Sequence, residues 1–420
     1  MHDPRWTRRR FLGTTGLTAL GLGLPFRRGL AAGSGDLRFI FVYNYGGWDP
    51  TRVFASEFLN RSVDMEIDSE EDQLGDLSYV AHDERPSVTE FFQSWADRSL
   101  IVNGVMVPSI AHENCMKLSM TGTSSDGAAD WPAILAGSVA EDFALPHLVV
   151  DGPSFPGTMG GFVTRTGSSG QFDGLLTGSI LDWSDLPTSG PTRRAEDLLD
   201  AYLERRVAAV ADGARAARTR ELASSYASSL DRSLFLKGLQ GIVDWDGGTG
   251  FASQIDLAVN ALSLGISRCA TISYSSYWDS HELNDYYQNI AFEGLFSGLV
   301  SLMSTLSLTP GHSTDSMVDE TVVVVMSEMG RTPALNSADG KDHWPYTSVL
   351  VTGPGVTGGR VVGGFDSYFY GETIDPDTGE LDGDGLDISI ASLGATLLNL
   401  ADVDHEEYLA GTLPLPGLLE

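Results

Sequence analysis

Cysteine is almost missing from this chain: there are two in 420 residues, Cys115 and Cys269. Two isolated thiols cannot make a cysteine-based zinc site, which needs close pairs. They are compatible with one disulfide in an oxidising compartment or with two buried free thiols. Positive charge is the second shortage. Lys and Arg number 26 against 57 Asp and Glu, a formal net charge of −31. Recognition of a phosphate backbone needs a basic patch, so DNA and RNA are excluded as partners. Histidine is scarce too, at eight. Long apolar runs are absent except near the start.

That exception is the segment 1–32. Arg8 and Arg9 precede Phe11 and Leu12, an apolar run covers 17–26, and Ala31 and Ala32 follow. The run is too short and Gly-rich for a membrane span, which needs about 20 apolar residues. It reads as a twin-arginine export signal, against the alternative of a basic amphipathic helix. The expected partner is the twin-arginine translocation machinery. The expected location is periplasmic, cell-envelope or extracellular, with no membrane span in the mature chain. That route takes folded proteins, often with cofactor loaded, which suits a metal site. Removal of 1–32 leaves 20 basic and 56 acidic residues, a net charge of −36. Such an excess keeps a protein soluble, and it also offers carboxylates for cations.

What the sequence does contain is an alternation of buried strands and helices. "LRFIFVYNYGGWDP" is a strand that breaks at a double glycine, and "LIVNGVMV", "HLVVD", "CATISYS", "ETVVVVMS", "TSVLVTGPGV" and "GGRVVGG" are further strands. "PSVTEFFQSWADRS", "SQIDLAVNALSLG", "FEGLFSGLVSLMSTL" and "DISIASLGATLLNLADV" have helical periodicity. Together they predict an α/β sheet with helices on both faces. Residues 152–190 are rich in Gly, Ser and Thr and read as a long loop or lid. A helical insertion is predicted at about 190–245, inside a single domain over 33–420.

In open α/β sheets, sites form outside the carboxyl ends of the strands. Charged residues gather at those ends here: Asp49 after the first strand, His112 after "LIVNGVMVPSIA", Asp279 and His281 after "TISYSSYW", and Glu328 after "VVVVMS". Asp342 and His343 follow on the next loop. Asp279 and His281 are two apart, so extended backbone puts both on one face. Carboxylates and imidazoles without thiolate suit Zn, Mn or Fe, or with more oxygens Mg or Ca.

The segment "VVVVMSEMGRTPALNSADGKDHWPYTSVLVTGPGVTGGRVVG" resembles the signature of the DUF1501 family, exported bacterial proteins of the alkaline phosphatase and sulfatase superfamily. "YGGWDP", "HENCMKLSMTG" and "YWDSHELN" resemble family blocks less tightly. The resemblance implies an alkaline phosphatase-like sandwich, with a mostly parallel central sheet and one or two divalent metal ions at the strand ends. By motif it implies Asp49, Asp279, His281, Glu328, Asp342 and His343 as ligands, and a small anionic phosphate or sulfate ester as substrate. His112 falls in the block near the superfamily's nucleophile, as ligand or general acid. The chain departs from the family's Arg-Ser-His there, having Ile110, Ala111 and His112, which favours metal-activated water over a covalent nucleophile. Ser109 and Thr121 are the nearby hydroxyls. Arg331 reads as an anion clamp or as a salt bridge to Glu328 that fixes the turn. A non-catalytic metal-containing envelope protein is the alternative function.

Other patterns are weaker. "GPGVTG" follows a strand but opens no helix, so it is not a dinucleotide site. "DPDTGELDGDGLD" lacks EF-hand spacing and reads as a solvated loop.

Overall fold

The computed structural model describes residues 33–166, 192–239 and 248–420. The proposed export signal lies outside them. The chain divides into two compact units.

The smaller unit contains two helices within 192–239, which appear below as α4 and α5. The larger carries the site. The strands are β1 (Arg38–Asn44), β2 (Glu70–Leu74), β3 (Leu77–Ala81), β4 (Ser99–Met106), β5 (His147–Val149), β6 (Val163–Arg165), β7 (Cys269–Ser273), β8 (Thr321–Ser327), β9 (Gly330–Arg331), β10 (His343–Trp344), β11 (Tyr346–Thr352) and β12 (Arg360–Val362). The helices are α1 (Pro86–Trp95), α2 (His112–Thr121), α3 (Trp131–Gly137), α4 (Arg193–Gly213), α5 (Ala217–Gly238), α6 (Phe251–Ser263), α7 (Asn284–Leu308) and α8 (Ile390–Leu400).

The central sheet has eight strands in the order β12-β4-β11-β8-β1-β7-β5-β6. All pairings are parallel except those of β11, which runs against both β4 and β8. This is the mostly parallel α/β sandwich expected from the sequence. The central strands are apolar throughout because both faces are covered. In β1, Phe39, Phe41 and Tyr43 enter the core on one face while Ile40 and Val42 enter the other. β8 splits the same way, with Val322, Val324 and Met326 against Val323 and Val325. The first core takes Trp131 and Ile134 of α3 with Leu393 and Leu397 of α8. The second takes Phe91 and Phe92 of α1, α6, and Phe292, Phe296 and Leu299 of α7. By length and composition α7 is apolar enough to cross a membrane, but eleven of its residues are buried and it packs on α1 and α6.

One expectation changes, one element was not foreseen, and the cysteine alternatives resolve to two buried free thiols. Residues 152–190 are not a loop throughout: Val163–Arg165 pairs in parallel with β5 as an edge strand, and residues 167–191 lie outside the described part. The hairpin of β2 and β3, polar on β2 and with Leu77, Tyr79 and Val80 of β3 buried, was not legible. Cys115 and Cys269 are both free and buried; burial raises the Cys115 thiol and pushes Cys269 up to about 12, which makes each a packing group.

In the smaller unit the Thr192 hydroxyl accepts from the Ala195 amide and caps α4. Lys237 of α5 reaches Asp200 of α4 at 3.3 Å.

Candidate metal centre

Four parallel strands, β1, β4, β7 and β8, bring their carboxyl ends to one edge. Because β11 is reversed, its beginning lies there too: Tyr346 pairs with Met106, the last residue of β4. His343, which comes before a strand, therefore joins residues that come after strands. His343 and Trp344 are held by the short ladder of β10 on β9, with His343 opposite Arg331.

His112 is the first residue of α2, and Ala111 gives that helix no side-chain cap. Its Nδ1 lies 2.7 Å from Glu328 Oε1. Glu328 is fully buried; Oε1 also accepts from the Gly46 amide at 2.8 Å, and Oε2 lies 3.0 Å from Ser327 Oγ. His281 Nδ1 lies 2.8 Å from Asp342 Oδ1, and His343 Nδ1 lies 2.8 Å from the Ile110 carbonyl. Each of those three partners can only accept, so each Nδ1 carries the proton and, in the neutral ring, each Nε2 presents a lone pair.

The three Nε2 atoms converge. His281 Nε2 and His343 Nε2 are 3.0 Å apart, and they lie 3.1 and 3.2 Å from Asp279 Oδ1. His112 Nε2 lies 3.4 Å from Asp279 Oδ2, within ion-pair distance, yet it is buried without a hydrogen-bond partner. One donor atom each from His112, Asp279 and His343 lies within 4.8 Å of the others. Acceptors facing acceptors repel unless a proton or a cation lies between them. His112, Asp279 and His343, two imidazoles and a carboxylate with each ring oriented through its other nitrogen, form a donor set that fits a transition-metal cation, and His281 Nε2 lies beside it against Asp279 and His343.

Without a cation, the hydrogen bond to Glu328 raises the His112 imidazole above its usual value and outweighs burial, which lowers it. Burial pushes the Asp279 carboxyl up, but its hydrogen bond with Arg331 and the charges of Arg331 and His112 outweigh this and hold it below the usual range.

Several sequence-predicted residues sit elsewhere than expected. Asp49 is not brought into the group. It is fully buried, with Oδ2 2.8 Å from Lys341 Nζ and 2.9 Å from Asn284 Nδ2, and Oδ1 accepting from the Thr51 amide and hydroxyl. Glu328 and Asp342 meet the cluster through the outer nitrogens of His112 and His281. Arg331 is neither free to clamp an anion nor paired with Glu328. It is fully buried, its Nε donates to the Gly47 carbonyl at 2.8 Å and Nη1 to that of Lys341 at 3.1 Å, and Nη2 donates to the Gly46 carbonyl and, at 2.5 Å, to Asp279 Oδ1. The hydroxyl candidates stand apart. Ser109 Oγ accepts from the Ala111 amide at 3.2 Å, and the Thr121 hydroxyl, at the far end of α2, has the carbonyls of Lys117 and Thr123 within reach.

Sequence reasoning missed the Gly46 amide, the Ile110 carbonyl, Ser327 and Lys341. Only the double glycine gave a signal. Gly46 has φ +129°, and a Cβ there would lie 2.7 Å from Trp278 Cβ and 2.9 Å from the Asp279 amide. A bare backbone lets β1 and the Asp279 loop approach. Leu283, just past that loop, has φ 47°, which costs a non-Gly residue about 1–3 kcal/mol. Bonds from the Leu283 and Asn284 amides to Ala338 and Asp339 carbonyls, at 3.2 and 2.8 Å, hold it.

Two cavities, of about 190 Å³ beside Trp131 and Tyr408 and about 660 Å³ beside Tyr274 and Tyr286, are lined by none of the cluster residues. The cluster instead opens at the sheet edge, where Asp342 is 60% and Asp279 47% exposed at the side chain.

Among solved structures the chain is similar to a protein in complex with its substrate D-glucosamine-2-N,6-O-disulfate, with a TM-score of 0.34 and 9% identity over 91% of this chain and 82% of that one. It is similar to a phosphonate monoester hydrolase from Silicibacter pomeroyi, with a TM-score of 0.32 and 12% identity over 89% and 76%. Scores this low say nothing about chemistry. No curated protein matches the sequence. The model of the family described as "Protein of unknown function (DUF1501)" matches residues 192–416, more than half of the chain, and the chain belongs to that family.

Proposed function

We propose that this protein is a metal-dependent hydrolase of phosphate or sulfate esters, with water rather than a side chain as the attacking group. The observation that carries this is the convergence of the Nε2 atoms of His112, His281 and His343 on Asp279, every Nδ1 proton being already engaged. A divalent cation held by His112, Asp279 and His343, with His281 beside them, would polarise an ester oxygen and favour deprotonation of water. The nitrogen-rich set favours Zn, Mn or Fe over Mg or Ca, which prefer all-oxygen surroundings. Glu328 and Asp342 keep two rings in the ligating tautomer, and Arg331 holds Asp279 in place from behind. Among the described residues, no serine or threonine hydroxyl is hydrogen-bonded to His112, Asp279, His281 or His343, which favours water over a side chain as the attacking group. The order of the motifs supports membership of the alkaline phosphatase and sulfatase superfamily.

The test is metal content of the mature protein by elemental analysis, with turnover of 4-nitrophenyl phosphate and sulfate before and after chelation. Metal present with no ester hydrolysed would end the hydrolase reading. The second reading, a metal-holding envelope protein without turnover, is favoured by two observations. Ala111 stands where the family carries a hydroxyl, and the Arg331 guanidinium is spent on the protein itself.

The export reading rests on the N-terminal sequence. Arg8→Lys combined with Arg9→Lys should retain an uncut precursor in the cytoplasm; normal processing of the double variant, seen by fractionation and blotting, would end it.

A further inference from the structure

Building on the metal-dependent reading of this same site, we propose that it selects monoanionic esters, such as sulfate esters and phosphodiesters, over dianionic phosphate monoesters. The reason is a shortage of positive charge. Of the 26 Lys and Arg, six lie in residues 1–32 and nine in 192–239, which leaves eleven in the larger unit. Residues 167–191 and 240–247 contain none.

Among the described residues of the larger unit, Arg331 alone of the eleven is hydrogen-bonded or ion-paired to the cluster, and its donors face backbone carbonyls and Asp279. Lys341, two residues before His343, is fully buried and turned to Asp49 and Thr51, and Arg52 is buried against Asp49 and Asp285. Lys117, on the same helix as His112, is paired with Asp126 and the Ser124 carbonyl.

The fixed charges are three carboxylates, Asp279, Glu328 and Asp342, against one guanidinium, Arg331. One divalent cation cancels the difference. A monoanion then adds one negative charge to a neutral site, whereas a dianion adds two, beside carboxylates 47% and 60% exposed. In a partly desolvated site the second charge is costly. Two exposed neighbours of the cluster are uncharged: Tyr45 is half exposed with its ring 5.2 Å from that of His112, and Ile110 is 55% exposed.

The test compares two ligands of one shape, benzenesulfonate, a monoanion, and phenylphosphonate, a dianion in mildly alkaline buffer. Their binding to the metal-loaded, full-length mature protein is measured by calorimetry after metal content has been established. Benzenesulfonate should bind at least about tenfold more tightly. Tyr45→Arg, which sets a guanidinium beside His112, should raise phenylphosphonate affinity more than benzenesulfonate affinity. Equal or tighter binding of phenylphosphonate by the unaltered protein overturns the inference. So does failure of both ligands to bind with metal present. A sulfonate preference without turnover of any ester supports the charge selection and removes only the hydrolase reading.

Discussion

Two clusters of charged side chains lie at the same edge of the sheet, and only one is incomplete. In the first, Asp49 is buried with Lys341 and Arg52, and both its oxygens are met by donors: Thr51 twice on Oδ1, Lys341 and Asn284 on Oδ2. In the second, Asp279 shares one oxygen with Arg331 and with two imidazole nitrogens that are themselves acceptors, while His112 Nε2 has no hydrogen bond. The same residue type is a closed ion pair in one place and, in the other, shares its oxygen with acceptors that the protein's own donors do not satisfy. What separates them is whether the acceptors are already paid for by protons on the protein, and that cannot be judged from an Asp in a motif.

The contrast is broken most directly at Asp49. Burial pushes its carboxyl up, but the charges of Lys341 and Arg52 outweigh this and hold it well below the usual range, so it is a charged partner in the folded protein. Asp49→Ala should destabilise the apo protein by about 3–5 kcal/mol, because the Lys341 ammonium would be left buried and unpaired. Asp49→Ala with Lys341→Met should recover much of that loss in urea melts. The double variant should still bind zinc. A folded double variant that holds no metal would make Asp49 a ligand and erase the distinction.

The second cluster should respond in the opposite way. His343→Ala should weaken metal binding by more than about 100-fold while leaving the apo melting temperature nearly unchanged, since it removes a group that lacks a full set of partners. Glu328→Gln, which touches the metal only through His112, should cost about 10–100-fold in affinity. Metal-competition titrations with a chromophoric chelator measure both. If Glu328→Gln is more damaging than His343→Ala, Glu328 is the ligand and the division of roles is wrong.

The fold was legible because its main strands are short apolar runs and its helices carry clear periodicity. β6 was not, having three residues on a sheet edge, and α2 was not, since "HENCMKLSMT" has weak amphipathicity and Ala111 gives no cap. α7 begins at Asn284, eight residues before the apolar stretch that announced it. At the site, the gathering of Asp279, His281 and Glu328 was legible from strand ends, and that of Asp342 and His343 from the loop that follows Glu328. Their roles did not, because sequence does not say which imidazole nitrogen faces inward. Arg331 and Asp49 are the instructive cases. Each has chemistry that suits a ligand or substrate, and each is satisfied by groups remote in sequence, such as Gly46, Gly47 and Lys341.

His147 provides a control for the comparison. Like His112 it has a buried ring nitrogen without a partner, here Nδ1, while its Nε2 lies 2.8 Å from the Thr271 hydroxyl. No carboxylate or second imidazole converges on it among the described residues, so a lone orphaned nitrogen makes no ligand. Full burial instead keeps the ring neutral and lowers its pKa from 6.5 to about 3. The folded pKa is depressed, so the unfolded chain binds the proton first. Stability from this group is complete above about pH 6.5 and is lost as the pH falls from there toward about 3. Between neutrality and about one unit below the unfolded pKa the loss should reach about 1 kcal/mol. His147→Gln, which retains a partner for Thr271, should flatten that part of the stability profile, read as the difference from the unaltered protein in urea melts with metal removed. An unchanged slope would mean that the imidazole is solvated or protonated in the fold, and that unpaired nitrogens in this protein cannot be read as acceptors, at His112 as well as at His147.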